Sequence, residues 1–101
     1  MDEGNGIVSN QYGLIQNSPN PFNTETQIDY ILLEDDNISV EVYDIRGELV
    51  RRLFEGQQHA GKYSLSWNGK SDQGIEINSG VYFIRLHSSS LSQTVKTLKL
   101  D

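Results

Sequence analysis

The sequence predicts an all-β sandwich of seven short antiparallel strands with no major helix. Apolar and polar residues alternate along most of the chain, which is the pattern of strands with one buried face. Turns rich in glycine and asparagine separate these runs at intervals of about 8–12 residues, a spacing typical of a two-sheet sandwich. No segment carries a sustained helical repeat of apolar residues.

Composition excludes several classes of function. The 101 residues fit one domain. The net charge is -6, with 14 acidic and 8 basic residues, which argues against a nucleic-acid binder and against binding to anionic membranes. The absence of cysteine excludes a disulfide scaffold, a thiolate metal site and a cysteine nucleophile. No apolar run approaches the roughly 20 residues of a membrane span, so we expect no membrane insertion.

Residues 1–13 and residues 14–101 are predicted to differ in order. The first segment contains three glycines and two asparagines, which is typical of a flexible linker. Its acidic start lacks the basic region and apolar centre of a signal peptide. If the protein is exported, we therefore expect this chain to be the C-terminal part of a larger one.

The segment S-P-N-P-F-N at residues 18–23 contains both prolines of the chain. Each proline fixes φ, lacks an N–H and biases the residue before it toward extended geometry. Asn20 and Asn23 are suited to Asx turns, and Phe22 is a large apolar anchor. The segment therefore predicts a rigid turn with few hydrogen bonds, pinned by one aromatic residue.

Period-two alternation predicts the strands that follow. Their expected inward residues are, in order, Ile28, Tyr30 and Leu32; Ile38, Val40 and Val42; Tyr63, Leu65 and Trp67; and Tyr82, Ile84 and Leu86. The expected turns and loops are residues 34–37, 44–47, 55–61, 68–74, 78–80 and 88–90. The chain ends in an edge-like strand from residue 94 onward, whose lysines would discourage edge-to-edge pairing.

Residues 48–54 fit two structures. Leu49, Val50, Leu53 and Phe54 match helical spacing, and they also match a strand that is apolar on both faces. The run is short, lacks a good N-cap and lies between glycine turns, so we predict a strand. The adjacent pair of arginines at 51 and 52 is interpreted as solvated edge charge.

The sequence contains no pattern typical of an enzyme or a metal site. Calcium needs six to eight oxygens from converging segments, whereas the acidic residues 34–37 are consecutive in a turn. Asn68, Asp72 and Asn78 could line a cation site, but turn chemistry explains them more simply. The two histidines stand apart from other ligand residues. With no nucleophile elbow, phosphate loop or readable carboxylate pair, we predict no catalytic residue, no cofactor and no metal.

Gly80-x-Tyr82-x-Ile84 is similar to the tyrosine corner of immunoglobulin-like domains. A larger set of segments resembles the type IX secretion system type A C-terminal sorting domain. These segments are L-I-Q-N-S-P-N-P-F-N at 14–23, V-Y-D-I-R-G at 42–47, A-G-K-Y-S-L-S-W-N-G at 60–69 and S-G-V-Y-F at 79–83. Lys96 precedes a terminal hydrophobic strand, as in that family, so the resemblance covers residues 14–101.

The resemblance implies a seven-stranded immunoglobulin-like sandwich that directs a larger cargo through the outer membrane. Its implied partners are the type IX translocon with its shuttle components and a sortase-like cysteine protease, which would remove the domain by cleavage within residues 1–13. The implied location is the periplasm in transit, then the cell surface or the medium. The implied recognition residues are Pro19, Asn20, Pro21 and Phe22, then Gly80 and Tyr82, and finally Lys96, Leu98 and Leu100. β-Augmentation and loop docking both remain open as modes of recognition, with the last strand as the candidate surface.

Two other classes of function remain open from the sequence. One is an accessory immunoglobulin-like module, either a spacer in a multidomain secreted protein or a domain similar to the sandwich domain of the hook-capping protein. The other is a carbohydrate-binding module, which needs a row of exposed aromatic residues, and Tyr12, Tyr43 and Phe83 are the candidates. Trp67 lies on an inward face and is expected to pack in the core.

Overall fold

The computed structural model describes residues 15–101, so the predictions for residues 1–13 and for Leu14 and Tyr12 lie outside it. The strands are β1 (Ile15–Ser18), β2 (Thr26–Leu32), β3 (Asp36–Tyr43), β4 (Leu49–Gln58), β5 (Gly61–Trp67), β6 (Gly80–His87) and β7 (Ser92–Lys99). They form a three-stranded sheet, β1-β2-β5, and a four-stranded sheet, β4-β3-β6-β7. Every strand pair is antiparallel. The prediction of a seven-stranded antiparallel sandwich is confirmed, and none of the described residues forms a helix able to cross a membrane.

The core lies between the two sheets and consists of the residues that alternation placed inward. All of them are buried except Tyr63 and Leu65, which are partly buried. Trp67 is 0% exposed, and its Nε1 donates a hydrogen bond to the Lys70 carbonyl at 3.0 Å. Three aromatic rings close one end of the core. The Trp67 ring centroid lies 5.4 Å from that of Phe22 and 6.0 Å from that of Tyr82.

β4 is a strand, as predicted, but its pairing with β3 contains two irregularities. Val40 pairs with Phe54 and Glu41 with Arg52, so Leu53 is an extra residue in β4. The same step recurs two residues later and leaves Val50 extra. Each extra residue shifts the phase of the apolar pattern by one. The helix-like spacing of apolar residues in this segment therefore comes from β-bulges.

Two turns are shorter than the sequence predicts. β4 continues to Gln58 and β5 begins at Gly61, so most of the predicted loop at 55–61 is strand. The acidic turn at 34–37 is also shorter than predicted, because Asp36 already pairs with Gln58 at the start of β3. Backbone pairing can extend a strand through polar residues when their side chains reach solvent. The apolar pattern of the sequence does not show this pairing, so it predicts strands that are too short.

Candidate recognition site at the edge of the last strand

Residues 19–23, which we call the proline segment, lie along the outer edge of β7. The Phe22 N–H donates to the Leu98 carbonyl at 2.9 Å, and the Leu100 N–H donates to the Phe22 carbonyl at 2.8 Å. These bonds form an isolated parallel bridge between Phe22 and Lys99. Both proline peptide bonds are cis. Although β7 is the last strand in its sheet, this part of its edge is therefore paired.

Side-chain amides complete the pairing where prolines provide no N–H. Asn20 Nδ2 donates to the Lys96 carbonyl at 3.0 Å, and Asn20 Oδ1 accepts from the Leu98 N–H at 3.0 Å. Asn23 Nδ2 donates to the Asp101 carbonyl at 2.8 Å. The predicted hydrogen-bond-poor turn is wrong, because each amide offers both a donor and an acceptor to the strand. We call the hydrogen bonds of Asn20, Phe22 and Asn23 to residues 96–101 the edge clamp.

A buried polar cluster lies beneath the edge clamp. Asn17 Nδ2 donates to Thr97 Oγ1 at 2.7 Å and to Thr26 Oγ1 at 3.2 Å. Thr26 Oγ1 in turn donates to the Pro19 carbonyl at 2.9 Å. Both threonines are completely buried, and buried hydroxyls are stable in a core only when they are hydrogen-bonded. The cluster joins the three-stranded sheet to the last strand of the four-stranded sheet.

Lys99 is buried beside the aromatic rings, so the prediction that lysines of the last strand line its solvent edge is wrong for this residue. Its Nζ donates to the Leu100 carbonyl at 3.1 Å and lies 3.6 Å from Glu76 Oε2. The same nitrogen lies 6.0 Å from the Phe22 ring centroid. Gly69 leaves room for this side chain, because a Cβ there would come within 2.9 Å of Lys99 Cε.

The structure brings the predicted recognition residues into one region. Pro19, Asn20, Pro21 and Phe22 lie against the strand that carries Lys96, Leu98 and Leu100. Of the proline segment, Phe22 is buried and both prolines are exposed. Lys96, Leu98 and Leu100 alternate with the buried Thr97 and Lys99, so they share the outer face.

Gly80 and Tyr82 join the same region from β6. Gly80 pairs with Lys99 in the strand register, and Tyr82 reaches Phe22 through Trp67. The Tyr82 hydroxyl donates to the Asn78 carbonyl at 2.8 Å, which confirms the tyrosine corner.

Sequence reasoning missed Asn17, Thr26, Thr97, Lys99 and Gly69. The apolar residues near the end of the chain are Leu98 and Leu100, so the hydrophobic pattern points to the wrong residues of β7 as its inner ones. Val95 and Thr97 share the inner face of β7. The pairing of β7 with β6 shows this, because these two residues lie opposite the inward residues Ile84 and Tyr82. No sequence signal indicates that a lysine fills the space above Gly69.

A second polar cluster lies on the outer face of the four-stranded sheet, around Glu41. Its Oε1 accepts from the Tyr43 hydroxyl at 2.6 Å and lies 3.0 Å from His87 Nε2. Its Oε2 accepts from Arg52 Nε at 3.0 Å. Burial alone would raise the pKa of this carboxyl group, but the hydrogen bonds from Tyr43, His87 and Arg52 outweigh it and lower the pKa to about 2.

The two adjacent arginines lie on β4, which is an edge strand, and Arg52 is exposed, in keeping with the predicted edge charge, but both side chains also form bonds within the fold. Arg52 forms the ion pair with Glu41, which is only 4% exposed. Arg51 donates to the Lys70 carbonyl at 3.3 Å and so ties β4 to the loop between β5 and β6.

The candidate cation-site residues of this loop form hydrogen bonds within the fold. Asn68 Oδ1 accepts from the Lys70 N–H at 3.1 Å, and Asp72 Oδ1 accepts from the Arg52 N–H at 3.1 Å. Within residues 15–101, no group of three or more histidine, aspartate and glutamate side chains is arranged to hold a metal ion.

These features define an immunoglobulin-like β-sandwich whose last strand is closed by its own proline segment. The family of the FlgD Ig-like domain matches residues 23–92, which is more than half of the chain, so the chain belongs to that family. A comparison with curated proteins gives no match.

Three solved structures share the fold. PorZ, a bacterial surface component of the type-IX secretion system of Porphyromonas gingivalis, is 19% identical, with a TM-score of 0.63 over 86% of this chain. Latent dimeric PorU from the same organism is 21% identical, with a TM-score of 0.65 over 85%. FlgD from P. aeruginosa is 28% identical, with a TM-score of 0.57 over 73%. The chain spans 11% of the PorZ chain, 9% of the PorU chain and 58% of the FlgD chain.

Proposed function

We propose that this domain is a C-terminal sorting domain that directs a larger cargo protein through the type IX outer-membrane translocon. The observation that carries the proposal is the edge clamp. It joins the proline segment to residues 96–101, and these are two of the segments that resemble the sorting family. Nearly all of the clamp lies outside residues 23–92, the part that matches the FlgD Ig-like domain.

The structural neighbours support this proposal. PorZ is a surface component of the type-IX secretion system, the same system in which we place this chain. The similarity to PorZ and to PorU covers 85–86% of the chain, whereas the similarity to FlgD covers 73%. The PorZ and PorU similarities thus extend over more residues than the 70 of the family match at 23–92.

In this proposal the domain acts as a rigid address without chemistry of its own. The translocon and its shuttle components would contact the outward side chains Lys96, Leu98 and Leu100, beside the exposed Pro19 and Pro21. A sortase-like cysteine protease would then cut within residues 1–13. The domain would pass through the periplasm, and its cargo would reach the cell surface or the medium.

A secretion assay tests the proposal. Residues 1–101 are fused behind a signal peptide and a fluorescent reporter in a bacterium with a type IX system. A deletion of residues 96–101 should trap the reporter in the periplasm. Because that deletion also removes the buried Lys99, a second variant changes Leu98 and Leu100 to Ser and leaves the clamp backbone in place.

Ile75→Ser is the control for replacing an exposed apolar side chain with a polar one, since Ile75 is 66% exposed on a loop outside the clamp. We expect export of the parent fusion and of the Ile75 variant, and retention of the other two. Retention of the parent fusion itself would contradict the sorting function.

An accessory scaffold domain is the second candidate, and the FlgD Ig-like family match favours it. In that case the parent fusion would remain in the periplasm. For the carbohydrate-binding alternative, the candidates Tyr43 and Phe83 pair across β3 and β6, whereas Trp67 is buried and cannot stack on a sugar.

A further inference from the structure

The outer face of the four-stranded sheet carries an aromatic and cationic row. Tyr43 pairs with Phe83 across β3 and β6, and Phe83 pairs with Lys96 across β6 and β7. In the next row of the sheet, Arg85 lies opposite Thr94. Alternate residues of a strand point to the same face, so these five side chains share one surface. We call them the outer-face patch.

Arg85 lacks the carboxylate partner that the register offers. Glu41 is directly opposite Arg85 in the pairing of β3 with β6. The Glu41 carboxylate, however, is already occupied by Tyr43, His87 and Arg52. Arg85 Nε donates a long bond of 3.4 Å to Ser92 Oγ, and its guanidinium also interacts with the Tyr43 hydroxyl, which is uncharged. In the part of the chain that the structure describes, neither Arg85 nor Lys96 has a carboxylate within 4.0 Å.

An apolar concavity adjoins these two cations. It has a volume of about 320 Å³ and is lined by Tyr43, Phe83, Arg85, Thr94 and the turn that contains Ile45. Ile45 is 74% exposed and forms an aliphatic rim. Asp44 also lines the concavity, but Arg46 pairs with its carboxylate at 3.5 Å.

The charge of the patch is opposite to that of the protein. The whole chain carries a net charge of -6, yet the two charged residues of the patch, Arg85 and Lys96, are both cations. A guanidinium without an internal carboxylate, next to aromatic rings, is a favourable site for an external carboxylate. Charge complementarity therefore favours an acidic partner.

We infer that the outer-face patch binds an acidic, extended peptide segment of a partner protein. Its carboxylates would pair with Arg85 and Lys96, and an apolar side chain would lie against Phe83 and Ile45. An acidic peptide fits better than a neutral glycan, because a neutral sugar offers no carboxylate to Arg85 and Lys96.

Fluorescence anisotropy with the purified chain of residues 1–101 tests the inference. The probe is a labelled decapeptide of alternating glutamate and leucine, and the comparison peptide alternates lysine and leucine. Arg85→Gln should weaken binding of the acidic probe about tenfold, since it removes a charge-assisted hydrogen bond. Lys96→Gln should weaken it less, because Lys96 is more exposed.

Lys62→Gln is the matched control, since Lys62 is an exposed cation on β5 of the other sheet. Equal losses from Lys62→Gln and Arg85→Gln would overturn the inference, as would equal binding of the basic peptide or no binding of the acidic one. Binding of polygalacturonate in place of the peptide, lost in Phe83→Ala, would also overturn it and identify a glycan site. The purified chain is used throughout, so failure here is distinguishable from failure of the secretion assay.

Discussion

Replacing Asn20 with alanine tests the edge clamp most directly. The substitution removes the bond that Nδ2 donates to the Lys96 carbonyl and the bond that Oδ1 accepts from the Leu98 N–H, both 3.0 Å long. It also removes a longer bond of 3.4 Å that Oδ1 accepts from Thr97 Oγ1. The backbone bonds of Phe22 to Leu98 and Leu100 remain. Asn20→Ala therefore opens one part of the clamp and leaves the adjacent part closed.

The expected loss follows mainly from the two shorter bonds, to the Lys96 carbonyl and from the Leu98 N–H. A hydrogen bond contributes about 0.5–1.5 kcal/mol net to stability, and water can replace the lost partner at an exposed site. Because Asn20 is exposed, we expect a loss of about 1–2 kcal/mol in the free energy of unfolding. Each kcal/mol corresponds to roughly 4–8 °C in the melting temperature of a domain of this size.

Hydrogen exchange of individual amides distinguishes this mechanism from general destabilisation. In Asn20→Ala the Leu98 amide should exchange faster, whereas the Leu100 amide should keep the protection that the Phe22 carbonyl provides. Asn20→Asp is the matched variant, because it keeps an acceptor for the Leu98 N–H but loses the donor to the Lys96 carbonyl. Unchanged Leu98 exchange in the alanine variant would refute the role assigned to Asn20.

Three further predictions concern stability. Trp67→Ala should cost about 3–5 kcal/mol, because it leaves a cavity between the sheets, and a near-neutral urea midpoint would contradict its core role. Gly80→Ala should cost about 1–3 kcal/mol, because φ is +149° and no atom lies within 4 Å of a Cβ there, so the cost is backbone strain; an unchanged melting temperature would exclude it. Glu41 has a folded pKa of about 2 against an ordinary value of 4.5, so its ionised form stabilises the fold above pH 4.5 and this contribution is lost as the pH falls toward 2. Urea titrations should show a difference between the parent and Glu41→Gln of up to about 3 kcal/mol at neutral pH that disappears in acid, and parallel pH profiles would contradict the assignment.

The sequence predicted the sandwich well because its core strands follow a strict period of two. Ile28, Tyr30 and Leu32 are all buried as expected, since a one-residue shift would expose all three. Trp67 and Tyr82 were also placed correctly, because large aromatic residues on an apolar face have few alternatives to the core. The bulges at Val50 and Leu53 were not predictable in the same way, since they appear only when β4 pairs with β3.

The candidate site was predictable in some of its residues but not in its contacts. The motif residues at both ends of the chain were identified, yet nothing in the local sequence showed that they touch. Asn20 and Leu98 are separated by 78 residues, and their hydrogen bond depends on the order of strands in both sheets. Local turn chemistry suggested that the Asn20 amide bonds within its own turn. The Asn20 amide bonds to β7 instead, because the edge of that strand presents the Lys96 carbonyl and the Leu98 N–H at a spacing that one amide can reach.

The closed edge also limits how a partner protein can recognise the folded domain. β-Augmentation needs free N–H and carbonyl groups along an edge strand, and between Lys96 and Leu100 these groups bond to Asn20 and Phe22. A partner that binds here must therefore contact outward side chains or displace the proline segment. Asn20→Ala separates the two routes, because a weaker clamp should speed binding by displacement and should not speed binding to side chains. If a partner binds Asn20→Ala no faster than it binds the parent protein, it recognises the Leu98 and Leu100 side chains on the closed edge.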